Sequence, residues 1–175
     1  MGWSRFCLSD GNQDDCQYFH TYETLHANAV PTDAGIRLAI ISPDGRDAML
    51  QHAQQMSDAG IPFVFDPGQG LPMFDGDELR AFVAQARWVA VNDYEAEMLC
   101  ERMGVTLEAL SKEANLQGVI VTLGAEGCDV WIDGVRTHVP GVPATEVLDP
   151  TGCGDAFRAA LLHGLSLGWP LVRCV

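Results

Sequence analysis

Residues 148–157 read LDPTGCGDAF. Gly152, Cys153 and Gly154 stand directly before one carboxylate, Asp155, and an apolar helical pattern then opens with Ala156, Phe157, Ala159, Ala160, Leu161 and Leu162. A helix start exposes N–H groups that lack partners and carries a partial positive charge. Small residues in front of it let the backbone approach an anion closely. Thr151, Gly152, Cys153 and Gly154 are therefore expected to form a nest for a phosphate, with the helix dipole behind it. A carboxylate is not needed to bind phosphate there and would repel it. Its presence suggests other work, taking the proton from a hydroxyl that attacks the phosphate, because phosphoryl transfer needs mainly positioning, charge stabilisation and an oriented nucleophile. The plainer alternative makes Asp155 an N-terminal cap and the glycines a turn.

The chain upstream tells where such a loop would sit. Short apolar runs, IRLAIIS from Ile36, IPFVFD from Ile61, WVAVN from Trp88 and GVIVTLG from Gly118, read as buried strands. Helical patterns separate them: PDGRDAMLQHAQQMSDAG stopped by Gly60, DELRAFVAQA, DYEAEMLCERMG stopped by Gly104, and TLEALSKEAN. PGQGLPMFDG, from Pro67, reads as a turn-rich loop, and a hairpin is expected about Asp133-Gly134. Strands alternating with helices mean βαβ units around a mostly parallel sheet, an α/β fold. Ligands in such folds bind at the C-terminal strand ends. Four places qualify: Asp66, Asn92 to Glu95, Thr122 to Gly127, and Thr151 to Asp155. Residues 1–30 show no clear period and read as a strand remnant or a disordered lead-in.

Length and composition narrow the function. The chain has 175 residues, 47% of them hydrophobic, which suits one domain with a sizeable core. Its formal net charge of −14 speaks against nucleic-acid binding and against docking on anionic lipid. No run of about 18 apolar residues predicts a membrane span, and the N-terminus is not read as a signal peptide. The six cysteines, Cys7, Cys16, Cys100, Cys128, Cys153 and Cys174, form no CxxC pair and are read as reduced thiols of a cytoplasmic protein rather than a disulfide set.

DPTGCGDAFRAALLHGL, from Asp149, resembles the C-terminal signature of the PfkB, or ribokinase-like, sugar and nucleoside kinases, whose core reads D-T-x-G-A-G-D. Pro150 replaces the usual first Thr and Cys153 the usual Ala. VNDYEAEML resembles the N-x-x-E motif of the family, and VTLGAEGCDVW its strand-and-turn beside the nucleotide. The likeness runs from about Ile36 to the end and is greatest to bacterial adenosine kinase-like members. It implies a ribokinase-like three-layer α/β/α core and ATP-dependent transfer of the γ-phosphoryl to a hydroxymethyl of a nucleoside such as adenosine, or of a sugar. In that scheme Asp155 is the base, and the Gly152, Cys153 and Gly154 amides with those of Asp155 form the anion hole. Thr122, Gly124, Gly127 and Thr151 line the nucleotide. Asn92 and Glu95 organise Mg²⁺ through its waters, where the plain alternative is a helix cap. Asp149 belongs to a loop that in many relatives helps hold a monovalent cation such as K⁺. Asp66 is a weaker candidate for phosphate-bound metal or loop shape.

Two features depart from the family pattern. The glycine-rich substrate motif and lid sheet expected at the N-terminus are absent, and the chain stops soon after the signature helix, at GWPLVRCV. The expectation is a truncated chain: an atypical lead-in over 1–30, and the nucleotide-binding and catalytic part over 31–175. The alternatives are a ribose- or fructose-type kinase of the same family, or an inactive nucleotide-binding fragment that acts as an assembly partner; homo-oligomerisation stays open.

Overall fold

The computed structural model describes residues 30, 33, 35–145 and 152–175. The lead-in over 1–30 otherwise lies outside the described residues, as do Asp149 and Thr151.

The chain builds one six-stranded sheet. In order it forms β1 (Ala39–Ile41), α1 (Arg46–Asp58), β2 (Phe63–Phe65), α2 (Gly76–Gln85), β3 (Trp88–Asn92), α3 (Asp93–Met103), α4 (Leu107–Leu110), β4 (Gly118–Thr122), β5 (Gly127–Ile132), β6 (Val135–Pro140), α5 (Cys153–Ser166) and α6 (Leu171–Cys174). The strands lie side by side in chain order. β1 to β4 are parallel, and β5 and β6 add an antiparallel hairpin at one edge.

Two apolar layers explain the continuous apolar runs. Successive side chains of a strand point to opposite faces, so a strand covered on both faces reads as apolar throughout. Phe63, Phe65, Val89, Val91, Val119 and Val121 face a core shared with Met49, Ala53 and Met56 of α1, Leu79 and Phe82 of α2, and Leu99 and Met103 of α3. Val64, Ala90, Ile120, Cys128 and Val130 face a second core with Leu161 of α5 and with Leu171 and Cys174 of α6. The crossover helices thus cover one face and the final helices the other, the three-layer arrangement expected. In the first core the Phe65 and Phe82 rings stack at 4.5 Å, and Phe74 meets Phe82 edge-on at 5.0 Å. Fully burying each such ring stabilises by about 1.5–3 kcal/mol.

Local signals end the elements where expected. Gly104 adopts the left-handed conformation (φ 64°) that closes α3, and its N–H donates to the Cys100 and Glu101 carbonyls. Asp133 and Gly134 both have positive φ, 48° and 80°, as the tight turn of a two-residue hairpin requires.

Three elements differ from expectation. Helix over TLEALSKEAN shrinks to Leu107–Leu110, because the Asn115 amide turns back to donate to the Val83 and Ala86 carbonyls (2.6 and 2.8 Å) at the end of α2. The expected loop over 67–76 contains a 3-10 segment, Gly68–Met73, that buries Leu71. The final segment also makes one further short helix, α6. The described cysteines, Cys100, Cys128, Cys153 and Cys174, are free. Among the described residues no helix is long and apolar enough to cross a membrane.

Candidate active site at the strand ends

Three neighbouring parallel strands end in polar residues. Asp66 follows β2, Asn92 ends β3 and Thr122 ends β4. Asn92 and Thr122 are direct partners across the β3–β4 pair. The Asp66 N–H donates to the Ile41 carbonyl at 2.9 Å, so the sheet fixes its backbone.

Asp66 is fully buried, yet it ends in a carboxylate. A buried charge needs a partner. Arg158 of α5 supplies it: Nε donates to Asp66 Oδ2, and Nη2 donates to Oδ1 at 3.1 Å. The planar fork of a guanidinium matches a carboxylate edge in this way. Burial pushes the Asp66 carboxyl above the usual carboxylate range, against the opposing pull of Arg158. Burial also works against the Arg158 charge, but the Asp66 bonds and the nearby Glu95 and Asp155 outweigh it, so the guanidinium stays charged.

Asn92 and Glu95 form a reciprocal capping box at the start of α3. Glu95 N–H donates to Asn92 Oδ1 at 2.8 Å, and Asn92 N–H donates to Glu95 Oε2 at 2.9 Å. The cap weighed as the plain alternative is therefore formed. It engages one oxygen of each side chain, and a carboxylate has further lone pairs to offer.

The start of α5 is built differently. Its N-cap, Gly152, is left-handed (φ 85°), and among the described residues no side chain caps the first turn. Gly152, Cys153, Gly154 and Asp155 are all exposed. Asp155 lies in that first turn, with its Oδ1 3.7 Å from Arg158 Nη1. Arg158 therefore links the open helix start to the end of β2.

Thr122 donates to the Val91 carbonyl at 3.5 Å, a weak bond. Gly124 has φ 61° with open space around it. Gly127 answers to the backbone: with φ 104°, any side chain there would drive into the Val139 carbonyl and the Gly141 N–H. Its glycine thus has a sufficient structural cause in the turn between β4 and β5. Sequence reasoning missed Arg158. Its only signal is a charge three residues after Asp155 in the apolar run DAFRAALL.

The family model for "pfkB family carbohydrate kinase" matches residues 7–175. A nucleoside kinase of Methanothermobacter thermautotrophicus is 26% identical over 97% of this chain and 55% of its own. The aminoimidazole riboside kinase of Salmonella typhimurium is 30% identical over 87% of this chain and 47% of its own. Among solved structures, Burkholderia thailandensis nucleoside kinase in complex with inosine is 42% identical with a TM-score of 0.77, covering 81% of this chain and 46% of that one. The same protein in complex with ADP-inosine gives 40% identity and a TM-score of 0.72 over 86% and 44%. The chain spans about half the length of these relatives. With a family model matching nearly its whole length and a fold that superposes on such kinases, the chain belongs to the pfkB family of carbohydrate kinases.

Proposed function

We propose that this chain carries the phosphoryl-transfer half of an ATP-dependent kinase that acts on the hydroxymethyl of a nucleoside. The observation that carries this reading is the open start of α5, where Gly152 leaves the first turn without a side-chain cap and Asp155 stands within it. Backbone N–H groups there can hold the transferring phosphoryl, and the dipole of a helix starting at Cys153 favours its charge. Asp155, exposed and without a short hydrogen bond among those described, takes the proton of the attacking hydroxyl. Thr122 and Gly124, at the end of β4, lie along the nucleotide.

Asn92 and Glu95 suit a Mg²⁺ ion held through its own waters. Both offer oxygens at a strand end, the kind of ligand that Mg²⁺ prefers. When bound, the metal neutralises charge on the nucleotide phosphates. The nucleoside reading draws on the Burkholderia kinase, solved with inosine and with ADP-inosine. A cytoplasmic location, where ATP is supplied, goes with this reading.

The test is a coupled ADP-release assay against a panel of nucleosides and sugars, with the 175-residue chain alone and completed to the length of its relatives. ADP release with nucleosides supports the reading. Release with sugars only would move the substrate class, and no release from either form would leave a nucleotide-binding partner instead of a kinase.

A further inference from the structure

Arg158 is absent from the scheme just given, yet it meets both Asp66 and Asp155. Helical side chains lean toward the N-terminus. The Arg158 guanidinium accordingly lies beside the first turn of α5, where a Cβ added to Gly154 would fall 2.7 Å from Nη1. Nε and Nη2 are both committed to Asp66. Asp66 is wholly buried, and its backbone is pinned to β1. A guanidinium held by two bonds to a fixed carboxylate cannot rotate about its plane. Its remaining edge, Nη1, is thereby presented to the anion loop.

Nη1 stands 3.7 Å from Asp155 Oδ1, close enough for an ion pair but too long for a hydrogen bond. A short bidentate pair would occupy the lone pairs of the carboxylate. At this distance the guanidinium attracts the carboxylate while leaving its oxygens open to a proton.

We infer that Arg158 is a positioning residue for phosphoryl transfer, a bracket from the end of β2 to the first turn of α5 that sets where the Asp155 carboxylate stands. The inference rests on Asp155 as the base. It adds that the small residue at Gly154 serves the bracket as well as the anion, because the guanidinium occupies the space a side chain would need.

The competing role is a staple that contributes only stability. Arg158→Met and the double variant Arg158→Gln/Asp66→Asn, in the completed chain, separate the two. Arg158→Met strands a buried carboxylate and should lower the melting temperature by about 10 °C. The double variant replaces the ion pair by an amide pair and should recover most of that loss. A bracket predicts that kcat stays about 10- to 100-fold low in both variants, with KM for ATP and nucleoside within about twofold, since misplacing a reacting group slows the step without weakening binding. Where Arg158→Met does not fold, the double variant carries the same comparison. A double variant with restored melting temperature and wild-type kcat would overturn the inference while leaving Asp155 as the base. A wild-type kcat in Asp155→Asn, or no ADP release from the wild type, would overturn both.

Discussion

Two helix starts meet at the same rim of the sheet and are finished in opposite ways. At α3, Asn92 and Glu95 close on each other's N–H groups, so the first turn is satisfied from within. At α5, Gly152 turns left-handed, and among the described residues no side chain answers the first N–H groups. α2 repeats the closed form with Asp75 and Glu78. α1 also lacks a side-chain cap on its first turn, but the neighbouring Asp44 carboxylate already accepts from the N–H of its N-cap, Gly45 (2.6 Å). The lesson is a division of labour by cap. A closed start spends its polar groups on the helix and offers carboxylate oxygen, which suits a cation. An open start offers N–H groups, which suit an anion.

The largest test of that contrast is Asp155→Asn in the completed chain. Turnover should fall by about 10² to 10⁴, with ATP affinity unchanged or slightly raised as repulsion falls. Near-normal turnover in a steady-state assay would remove the base from the open start. Next comes Gly152→Ala. Gly152 has space around it, so the cost lies in φ 85° alone, about 1–3 kcal/mol. Loss of nucleotide affinity by calorimetry should exceed the loss from Asn92→Ala. That substitution opens the closed start and should cost about 1 kcal/mol of stability in denaturant unfolding, leaving ATP affinity in place. If Asn92→Ala weakened ATP as much as Gly152→Ala, the division would fail.

A finer test is Glu95→Gln, expected to raise the Mg²⁺ concentration for half-maximal activity severalfold. Unchanged Mg²⁺ dependence with lower stability would reduce Glu95 to its cap. The smallest effect belongs to Asp129, on β5. Burial alone would raise its carboxyl, but hydrogen bonds from Arg136 and His138 win and hold it below the usual carboxylate range. A depressed folded-state value contributes stability at pH above about 4, and that stability is lost as pH falls below it through the folded value. Asp129→Asn should therefore flatten the acid limb of a stability curve below about pH 4 and leave neutral-pH nucleotide binding alone.

What could be read from the chain followed from local physics. Strands buried on both faces are apolar throughout, as at Phe63, Val64 and Phe65. A cap announces itself over four residues, as in NDYE, and a positive-φ pair announces a hairpin, as at Asp133-Gly134. The signature at Gly152 to Asp155 pointed to a helix start before the helix was seen. The rest depends on neighbours far along the chain. Arg158 and Asp66 are 92 residues apart, and nothing near either one names the other. Helix α4 is cut short by a side chain, Asn115, whose acceptors lie on α2. The need for glycine at Gly127 comes from a strand that arrives later, β6.

The sheet order has a consequence for how the molecule comes together. Among the described residues each strand after β1 pairs with the one made just before it. Ala39 pairs with Phe63 and Trp88 with Gly118, so each of these parallel pairings closes a loop that holds a crossover helix and costs more entropy than the β5–β6 hairpin. On a ribosome the sheet can grow strand by strand as the chain emerges, each crossover helix closing the first face in turn. On the second face, α5 and α6 follow all six strands of the sheet in the chain. Arg158 follows all six described strands in the chain, so its contact with Asp66 joins the first turn of α5 to strands already made.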